Sequence, residues 1–182
     1  MNTDQQTTHF GFRQVDREQK TRLVRDVFDS VADRYDLMND LMSLGIHRVW
    51  KHALVAHADV KLGQVALDVA AGTGDVSQRL ASKVGIGGTV VSTDINYSMI
   101  KQGRDRLFND GCSGCHFAQA NAEQLPFGDD TFDVVTIAFG LRNVTDKDQA
   151  LSSMLRVLKP GGRLVVLEFS KLKKAFLEPV YD

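Results

Sequence analysis

The stretch "LDVAAGTGDVSQRL", residues 67–80, has the pattern of the glycine-rich turn of a nucleotide-binding fold. An apolar run leads into the turn, and a helical pattern follows it. Gly72 and Gly74 allow a tight turn and a close approach of the backbone to a ligand. The helix that begins at Asp75 directs its free N–H groups at the same place, where they favour a carboxylate or a phosphate. Because many nucleotide binders have such a turn, the alternative is that the glycines serve only the turn.

An acidic residue follows this turn at a spacing that indicates a ribose. Asp94 stands twenty positions beyond Gly74, directly after the next apolar run. An acid at about that distance accepts hydrogen bonds from ribose hydroxyls. The alternative for Asp94 is a part in the N-cap of the next helix, near Asn96. Taken together, the turn and the acid indicate an adenosine-like ligand.

The same loop argues against a dinucleotide. The dinucleotide fingerprint has a third glycine or alanine three positions after the second glycine, and Ser77 occupies that position here. Asp75 would also meet a pyrophosphate with like charge. A ligand with one carboxylate and a cationic centre, such as S-adenosylmethionine, suits the loop better. An NAD-dependent oxidoreductase remains the alternative enzyme class.

The elements around these residues alternate between strand and helix patterns. Such alternation predicts an α/β fold, a doubly wound and mostly parallel sheet with helices on both faces. In a sheet of this kind ligands bind at the carboxyl ends of the strands. The strand patterns are "VALDVA", "TVVSTDI", "CHFAQAN", "FDVVTIAFG" and "RLVVLEFS", and the helix patterns between them are "DVSQRLASKVG", "NYSMIKQGRDRLFNDG" and "TDKDQALSSMLRVLKPGG".

The beginning and the end of the chain differ from this alternating core. We expect an N-terminal arm and helical cap over residues 1–60 and a ligand-binding α/β core over residues 61–182. Within the first part, residues 1–15 are expected to be a loose arm. Helical spacing then predicts a helix from Asp16 to about Val31 and a second helix that carries Trp50. Because the chain stops as another helix begins, we expect the C-terminal strands to be absent or supplied by a partner.

Composition excludes several classes of protein. The chain has 182 residues, is 43% hydrophobic and carries a formal net charge of -1, so no general field attracts nucleic acid. It lacks the run of about 18 apolar residues that a membrane span requires and the apolar core of a signal peptide. We therefore expect a cytoplasmic protein, with peripheral contact at the inner face of the membrane left open. Cys112, Cys115 and His116 are one ligand short of a zinc site, so we expect free thiols and no metal.

Several motifs resemble those of class I S-adenosylmethionine-dependent methyltransferases. "LDVAAGTGD", "STDIN", "QANAEQLPF", "DDTFDVV" and "LKPGGRLVVLEF" stand in that superfamily's order and spacing. The common pattern has glycine where Ala70 stands, and an alanine is tolerable there if its φ is negative. A narrower resemblance is to the ubiquinone/menaquinone biosynthesis C-methyltransferase family. It covers about Phe28 to Ser170 and is carried by "FDSVADRYDLMNDLMSLGIHRVWK", "AFGLRNVTDKDQAL" and "RVLKPGGRLVVLEFSK".

The resemblance implies a Rossmann-like methyltransferase fold and a set of cofactor-binding residues. The cofactor would be S-adenosylmethionine, and the acceptor a ring carbon of a polyprenylated benzoquinol or naphthoquinol. Asp94 would hold the ribose. Asn121 would accept a hydrogen bond from the adenine amino group through its amide oxygen, and the N–H of Ala122 would donate to a ring nitrogen. The methionine end would lie in the backbone of Gly72, Thr73 and Gly74.

The resemblance also implies that Arg142 and Asn143, which follow the fourth strand, are the catalytic residues. Arg142 would stabilise a phenolate or hold a water that accepts the ring proton, and Asn143 would orient the ring oxygen. In the alternative interpretation, Arg142 pairs with Asp146 or Asp148 and Asn143 caps the next helix.

The remaining expectations concern the cap and the partners. Tyr35 and Asp36 are weaker candidates for closing over the cofactor. Apolar residues between Leu37 and Leu44 would either hold the polyprenyl tail or pack the cap onto the sheet. A homodimer and other quinone-biosynthesis proteins are the partners considered besides the quinol. Because the chain ends early, a non-catalytic cofactor-binding or assembly subunit is the third hypothesis.

Overall fold

The computed structural model describes residues 7–10, 13–16 and 46–169, whose main feature is a five-stranded sheet. Two short strands, β1 and β2, precede it and pair with each other. The strands are β1 (Thr7–Phe10), β2 (Arg13–Asp16), β3 (Val65–Val69), β4 (Thr89–Asp94), β5 (Cys115–Gln119), β6 (Phe132–Ala138) and β7 (Leu158–Leu167). The helices are α1 (Ile46–Ala58), α2 (Asp75–Val84), α3 (Tyr97–Asn109) and α4 (Lys147–Val157), with a 3₁₀ turn at Leu141–Asn143.

The strand order of the larger sheet reverses at β3. The order is β5-β4-β3-β6-β7, and every neighbouring pair is parallel. The chain therefore moves outward from β3 first in one direction and then in the other. At such a reversal, a crevice for a ligand opens at the carboxyl ends of the strands. The loops after β3, β4, β5 and β6 consequently form the candidate site.

Different helices cover the two faces of the sheet, because successive strand residues point to opposite faces. Ala66 of β3 packs with α1 and α2, whereas Leu67 packs with α4. Burying a side chain such as Leu67 contributes roughly 1.5–3 kcal/mol. The predicted doubly wound α/β sheet is thus confirmed. Buried residues of the first face include Leu54, Val55, Val76, Leu80, Val84, Val90 and Val134, and those of the second include Val69, Val135, Ile137, Ala150, Met154 and Val157.

Three helices begin at the carboxyl ends of strands or close to them, and two of these have side-chain caps. The Asn96 side chain accepts from the N–H of Met99 at 3.1 Å, as its predicted capping role requires. Asp146 does the same for Gln149 at the start of α4, also at 3.1 Å. Helix α2 follows Gly74 instead, and this N-cap residue has no side chain to bond the first turn. Its leading N–H groups can therefore serve a ligand.

The N-terminal strands correct one prediction. β1 and β2 form an antiparallel pair from Thr7↔Asp16 to Phe10↔Arg13, so the expected loose arm is wrong for these residues. Asp16 accordingly ends a strand instead of beginning a helix. The signal that was missed is the Gly-X pair between two short β-prone runs, which is typical of a two-residue hairpin. The rest of the predicted first helix, Tyr35, Asp36 and the 37–44 segment lie outside the described residues.

Strand β7 begins earlier than its sequence pattern predicts. Leu158 already pairs with Phe132, and regular pairing resumes with Arg163 opposite Val134. The intervening Pro-Gly-Gly segment forms a bulge in which Gly161 has a φ of 78°. Helix α4 ends at Val157, before this segment, as predicted. The proline and glycines thus stop the helix and also shift the register of the strand.

Candidate active site

The loop between β3 and α2 passes through three left-handed residues. Ala70, Gly72 and Gly74 have φ values of 53°, 56° and 82°. The condition of a negative φ at Ala70 is therefore not met, and this conformation costs an L-residue roughly 1–2 kcal/mol. The N–H of Ala71 donates to the carbonyl of Thr93 at 2.9 Å, which holds the loop against the end of β4.

Close packing below the loop requires glycine at several positions. A Cβ on Gly72 would lie 3.3 Å from Cε of Met99, and one on Gly74 would lie 3.2 Å from Cδ1 of Leu107. Gly103 lets helix α3 approach the loop, since a Cβ there would lie 3.1 Å from the carbonyl oxygen of Gly72. Helix α3 thus supports the backbone that would surround the ligand.

The loop after β6 meets this glycine loop at one point. A Cβ on Gly140 would lie 2.5 Å from the Cβ of Ala70, far inside van der Waals contact. Gly140 itself has a φ of -99°, which any residue adopts. Glycine is therefore required at position 140 because a side chain there would collide with the methyl group of Ala70. The backbone conformation at Gly140 does not itself require glycine. This contact brings the predicted cofactor loop and the segment carrying Arg142 side by side.

The carboxylate of Asp94 joins two loops at the rim of the crevice. Its Oδ2 accepts from the N–H of Gly72 at 2.9 Å, and its Oδ1 accepts from the N–H of Asn96 at 2.9 Å. Burial raises the pKa of Asp94, while the N–H donors of Asn96, Gly72 and Ile95 oppose that rise. Each oxygen keeps further lone-pair capacity for a hydroxyl. The carboxylate is thus fixed in place before a diol arrives.

Asp68 lies buried beneath the loop, in β3. Its Oδ1 accepts from the hydroxyl of Thr136 at 2.8 Å, and its Oδ2 accepts from the hydroxyl of Ser77 at 2.7 Å. Burial raises the pKa of Asp68 to about 6, and the two hydroxyl bonds and the charge of Lys51 oppose the rise. Ser77 occupies the position that is glycine or alanine in dinucleotide binders. Here it ties α2 to β3 by a hydrogen bond.

The proton equilibrium of Asp68 leads to a prediction about stability. Asp68 binds its proton more tightly when folded, so its own contribution to stability is greatest below pH 3.8 and is lost as pH rises to about 6. That interval corresponds to roughly 3 kcal/mol. We expect Asp68→Asn to reduce this slope and to stabilise the protein at neutral pH by roughly 1–2 kcal/mol. The gain comes from removing a buried charge, and it stays below roughly 3 kcal/mol because an amide oxygen accepts from only one of the two hydroxyls. Urea denaturation across this pH range measures both effects, and an unchanged slope would contradict the prediction.

The carboxylate of Asp75 forms ion pairs with two basic side chains. Its Oδ2 lies 2.9 Å from Nζ of Lys51, and its Oδ1 lies 3.1 Å from Nε of Arg79. Burial alone would raise the pKa of Asp75, but Lys51 and Arg79 together lower it below its ordinary value. The expected repulsion of a pyrophosphate by Asp75 is therefore weakened. Ser77 is the stronger of the two arguments against a dinucleotide.

The predicted adenine pair lies next to Asp94. The N–H of Ala120 donates to the Asp94 carbonyl at 3.0 Å, which brings the end of β5 to the crevice. Asn121 is exposed, and its Oδ1 accepts from the N–H of Glu123 at 3.0 Å. The amide oxygen expected to bind adenine thus already has one donor and would have to accept a second. Ala122 packs against the second face of the core.

Arg142 is held by a residue that the sequence analysis did not single out. Its Nη1 donates to Oε1 of Glu168 at 2.5 Å, and its backbone N–H donates to Oε2 of Glu168 at 3.0 Å. The alternative pairing with Asp146 or Asp148 is therefore wrong. Asn143 does not cap α4 either, because Asp146 is the cap and the N–H of Asn143 donates to the Gly140 carbonyl.

Aromatic rings flank this arginine. The guanidinium lies 5.7 Å from the ring centroid of Phe139 and 5.3 Å from that of Phe169. The two rings are stacked at 4.8 Å, and Trp50 of α1 lies 5.4 Å from Phe169. Phe139 has a φ of 55°, a strained conformation that is often found at active sites. Aromatic rings and a fixed cation are thus grouped after β6.

Glu123 connects two of the site loops and was also missed. Its Oε1 accepts from the N–H groups of Thr145 and Asp146 at 3.1 and 3.0 Å. The carboxylate thereby fixes the loop after β5 to the loop after β6. Glu123 and Glu168 act on segments more than twenty positions away. Glu168 has one local signal, its place immediately after β7, whereas Glu123 stands four positions beyond the end of β5.

Solved structures share this architecture. An S-adenosylmethionine-dependent methyltransferase from Aquifex aeolicus aligns with a TM-score of 0.63 at 22% identity, over 69% of this chain and 66% of its own. The Haemonchus contortus phosphoethanolamine N-methyltransferase 2, in complex with S-adenosylmethionine, aligns with a TM-score of 0.60 at 25% identity, over 72% of this chain and 31% of its own. The left-handed glycine loop, the glycine N-cap of α2 and the fixed carboxylate of Asp94 fit this ligand. The chain therefore has the fold of the S-adenosylmethionine-dependent methyltransferases.

Sequence comparison narrows the class to one family. The sequence profile of the ubiE/COQ5 methyltransferase family matches residues 13–182, and the chain belongs to that family. Two similar curated proteins are both named ubiquinone/menaquinone biosynthesis C-methyltransferase UbiE. The one from Marinomonas sp. is 56% identical over 100% of this chain and 73% of its own length, and the one from Escherichia coli O1:K1 is 58% identical over 98% and 71%.

Proposed function

We propose that the protein methylates a ring carbon of a polyprenylated benzoquinol or naphthoquinol in ubiquinone or menaquinone biosynthesis. The names of the 56% and 58% identical relatives support this substrate class. The observation that carries the proposal is the position of Arg142. Glu168 fixes its guanidinium beside two stacked phenylalanine rings, and the Gly140–Ala70 contact brings that group next to the cofactor loop.

The cofactor site follows from the loops at the switch point. When bound, S-adenosylmethionine supplies an electrophilic methyl group on a sulfonium centre. In our proposal Gly72, Thr73 and Gly74 surround its methionine end and Asp94 accepts from the two ribose hydroxyls. Asn121 and Ala122 would contact the adenine.

Carbon methylation requires the protein to make the acceptor ring electron-rich. A ring carbon has no free lone pair, but loss of the phenolic proton spreads negative charge to the ortho and para carbons. Arg142 would stabilise that phenolate, because a guanidinium has five N–H donors and its side-chain bond to Glu168 uses Nη1. In this arrangement Glu168 orients the cation, and Asn143 would hold the ring oxygen. Fixed donors of this kind need no reorganisation as charge develops.

The neighbouring phenylalanines would position the ring itself. Phe139 and Phe169 present a stacked pair of aromatic faces within 6 Å of the guanidinium. A planar quinol ring packed against such a face gains roughly 0.5–1.5 kcal/mol beyond its buried area. Placing the acceptor carbon and the methyl group in line accounts for much of the rate enhancement in reactions of this type.

The polyprenyl tail bears on where the reaction takes place. None of the helices described is long and apolar enough to cross a bilayer. We propose a cytoplasmic enzyme that meets its substrate at the inner face of the membrane. The exposed apolar residues of the β7 end, Val166 and Phe169, support that contact. A homodimer or other quinone-biosynthesis proteins as partners are separate possibilities that size-exclusion chromatography would distinguish.

The test of the proposal is methyl transfer from labelled S-adenosylmethionine to short-chain demethylbenzoquinol and demethylnaphthoquinol. We expect a labelled C-methyl product from at least one acceptor, and a melting temperature that S-adenosylmethionine raises and NAD does not. Stabilisation by NAD alone would favour the oxidoreductase. Cofactor binding without transfer to either quinol would favour the non-catalytic subunit.

Arg142 variants test the catalytic assignment. We expect Arg142→Ala to lower kcat by roughly 10–100-fold, because a fixed charged donor is lost, and Arg142→Lys to retain part of the rate. Affinity for S-adenosylmethionine should change little. Arg156→Ala is a matched control, because Arg156 also pairs with an acid, Asp129, at 2.7 Å. Equal losses of rate in the two alanine variants would contradict a catalytic role for Arg142.

A further inference from the structure

The turn before β5 brings the two cysteines into contact. The Sγ atoms of Cys112 and Cys115 are 3.3 Å apart, and both residues are free and partly buried. The pair lies at the amino end of β5, whereas Gln119 at the other end pairs opposite Asp94. Four residues of strand separate these ends, roughly 13 Å. The thiols are therefore remote from the candidate active site.

The backbone of this turn is fixed on both sides. The N–H of Cys112 donates to the carbonyl of Leu107 at 2.9 Å, and the carbonyl of Gly114 accepts from the N–H of Val90 at 2.8 Å. Gly114, with a φ of 84°, allows the tight reversal between the cysteines. From 3.3 Å the sulfurs need to approach by only about 1.2 Å to reach bonding distance.

The two thiols have different surroundings. Cys115 lies with its Sγ 4.0 Å from the carbonyl oxygen of Ser77, to which its S–H donates. Burial, and then the contact with Cys112, raise the pKa of Cys115 to about 12, so it is protonated at neutral pH. Cys112 lies between the exposed residues Gly111 and Ser113. Since the thiolate is the attacking species, Cys112 is the first nucleophile and Cys115 the second.

We propose that Cys112 and Cys115 form a reversible dithiol–disulfide site that exchanges with small-molecule disulfides such as oxidised glutathione. The Cys112 thiolate attacks one sulfur of the reagent, its S–S bond breaks, and the departing thiolate takes up a proton. Cys115 then gives up its proton and attacks the sulfur of Cys112, which releases the second small thiol. The protein loses two electrons and two thiol hydrogens, and the reagent gains them as two thiols. An excess of the small thiol reverses both steps.

The test is to equilibrate the full chain with defined ratios of oxidised to reduced glutathione, quench it with an alkylating reagent and measure intact masses. We expect the wild type to lose about 2 Da, with two thiols protected from alkylation and no lasting adduct. Cys115→Ser should accumulate a glutathione adduct at Cys112. Cys112→Ser should remain almost unmodified over the same time. Circular dichroism, with Cys112→Ala and Cys115→Ala as second variants, confirms that each compared protein is folded.

Three results would overturn the proposal. They are a persistent glutathione adduct on the wild type, a disulfide between two chains in place of the internal one, and equal modification of the two serine variants. The first two would mean that the turn does not bring the thiols together for exchange, and the third would mean that Cys112 is not the first nucleophile. The readout does not depend on methyl transfer, so it can fail while the proposed function stands.

Discussion

Asp94→Ala is expected to bind S-adenosylmethionine at least about 100-fold more weakly than the wild type. In the proposed complex the carboxylate accepts from both ribose hydroxyls, and a hydrogen bond to a charged group contributes roughly 1.5–3 kcal/mol. The carboxylate also holds the N–H groups of Gly72 and Asn96, so the variant loses order in the loop as well. Titration calorimetry measures the Kd. An unchanged affinity would contradict the ribose assignment.

A matched control separates this effect from a general loss of structure. Asp133 also accepts from a backbone N–H, that of Val65 at the start of β3, at 2.8 Å, and it pairs with Lys159. It lies near the amino ends of β3 and β6, away from the crevice. We expect Asp133→Ala to lower stability but to leave the Kd within about twofold, since it contributes nothing to the crevice. Equal weakening of binding in both variants would assign the loss to folding.

Gly140→Ala is expected to destabilise the protein by about 3 kcal/mol or more, at the upper end of overpacking penalties. The backbone at Gly140 suits alanine, so the cost comes from the new methyl group, whose carbon would lie 2.5 Å from the Cβ of Ala70. Ile137 lies 3.3 Å from the same position and limits how far the methyl can shift. Urea denaturation of the variant measures the loss.

The double variant Ala70→Gly/Gly140→Ala is expected to recover that loss, to within about 1 kcal/mol of the wild type. It removes the opposing methyl and places glycine at a φ of 53°, where it is unstrained. The resulting coupling of roughly 2–3 kcal/mol would be a direct measure of the contact. A double variant as unstable as Gly140→Ala alone would show that the cost lies elsewhere, against Ile137 for example.

The sheet could be predicted from the sequence because buried parallel strands leave a clear pattern. β3 and β6 are nearly continuous apolar runs, and a glycine turn or a helix cap follows at once. Asp94 and Asp75 could be identified as candidate site residues because they stand at the end of a strand and after the glycine turn. The sequence did not reveal that Lys51, twenty-four positions before Asp75, neutralises its charge.

The features that the sequence analysis missed depend on the folded structure and not on any short stretch of sequence. The condition of a negative φ at Ala70 followed from the tendency of L-residues to avoid the left-handed region, but the structure has a φ of 53° there. Glu168 and Glu123 orient the loop after β6 from other elements, and only the folded sheet brings them there. The β7 bulge was hidden because the same glycines also end a helix.

The bonds of Glu123 join the loop after β5 to the loop after β6, so that a ligand which orders one loop also restrains the other. Pulling the loop after β5 away from the loop after β6 would break two bonds to a carboxylate, at a cost of roughly 3 kcal/mol or more. A nucleoside that orders the first loop therefore stiffens the second, which carries Arg142. By linkage, an acceptor bound at the second loop would strengthen binding of the methyl donor at the first by the same factor.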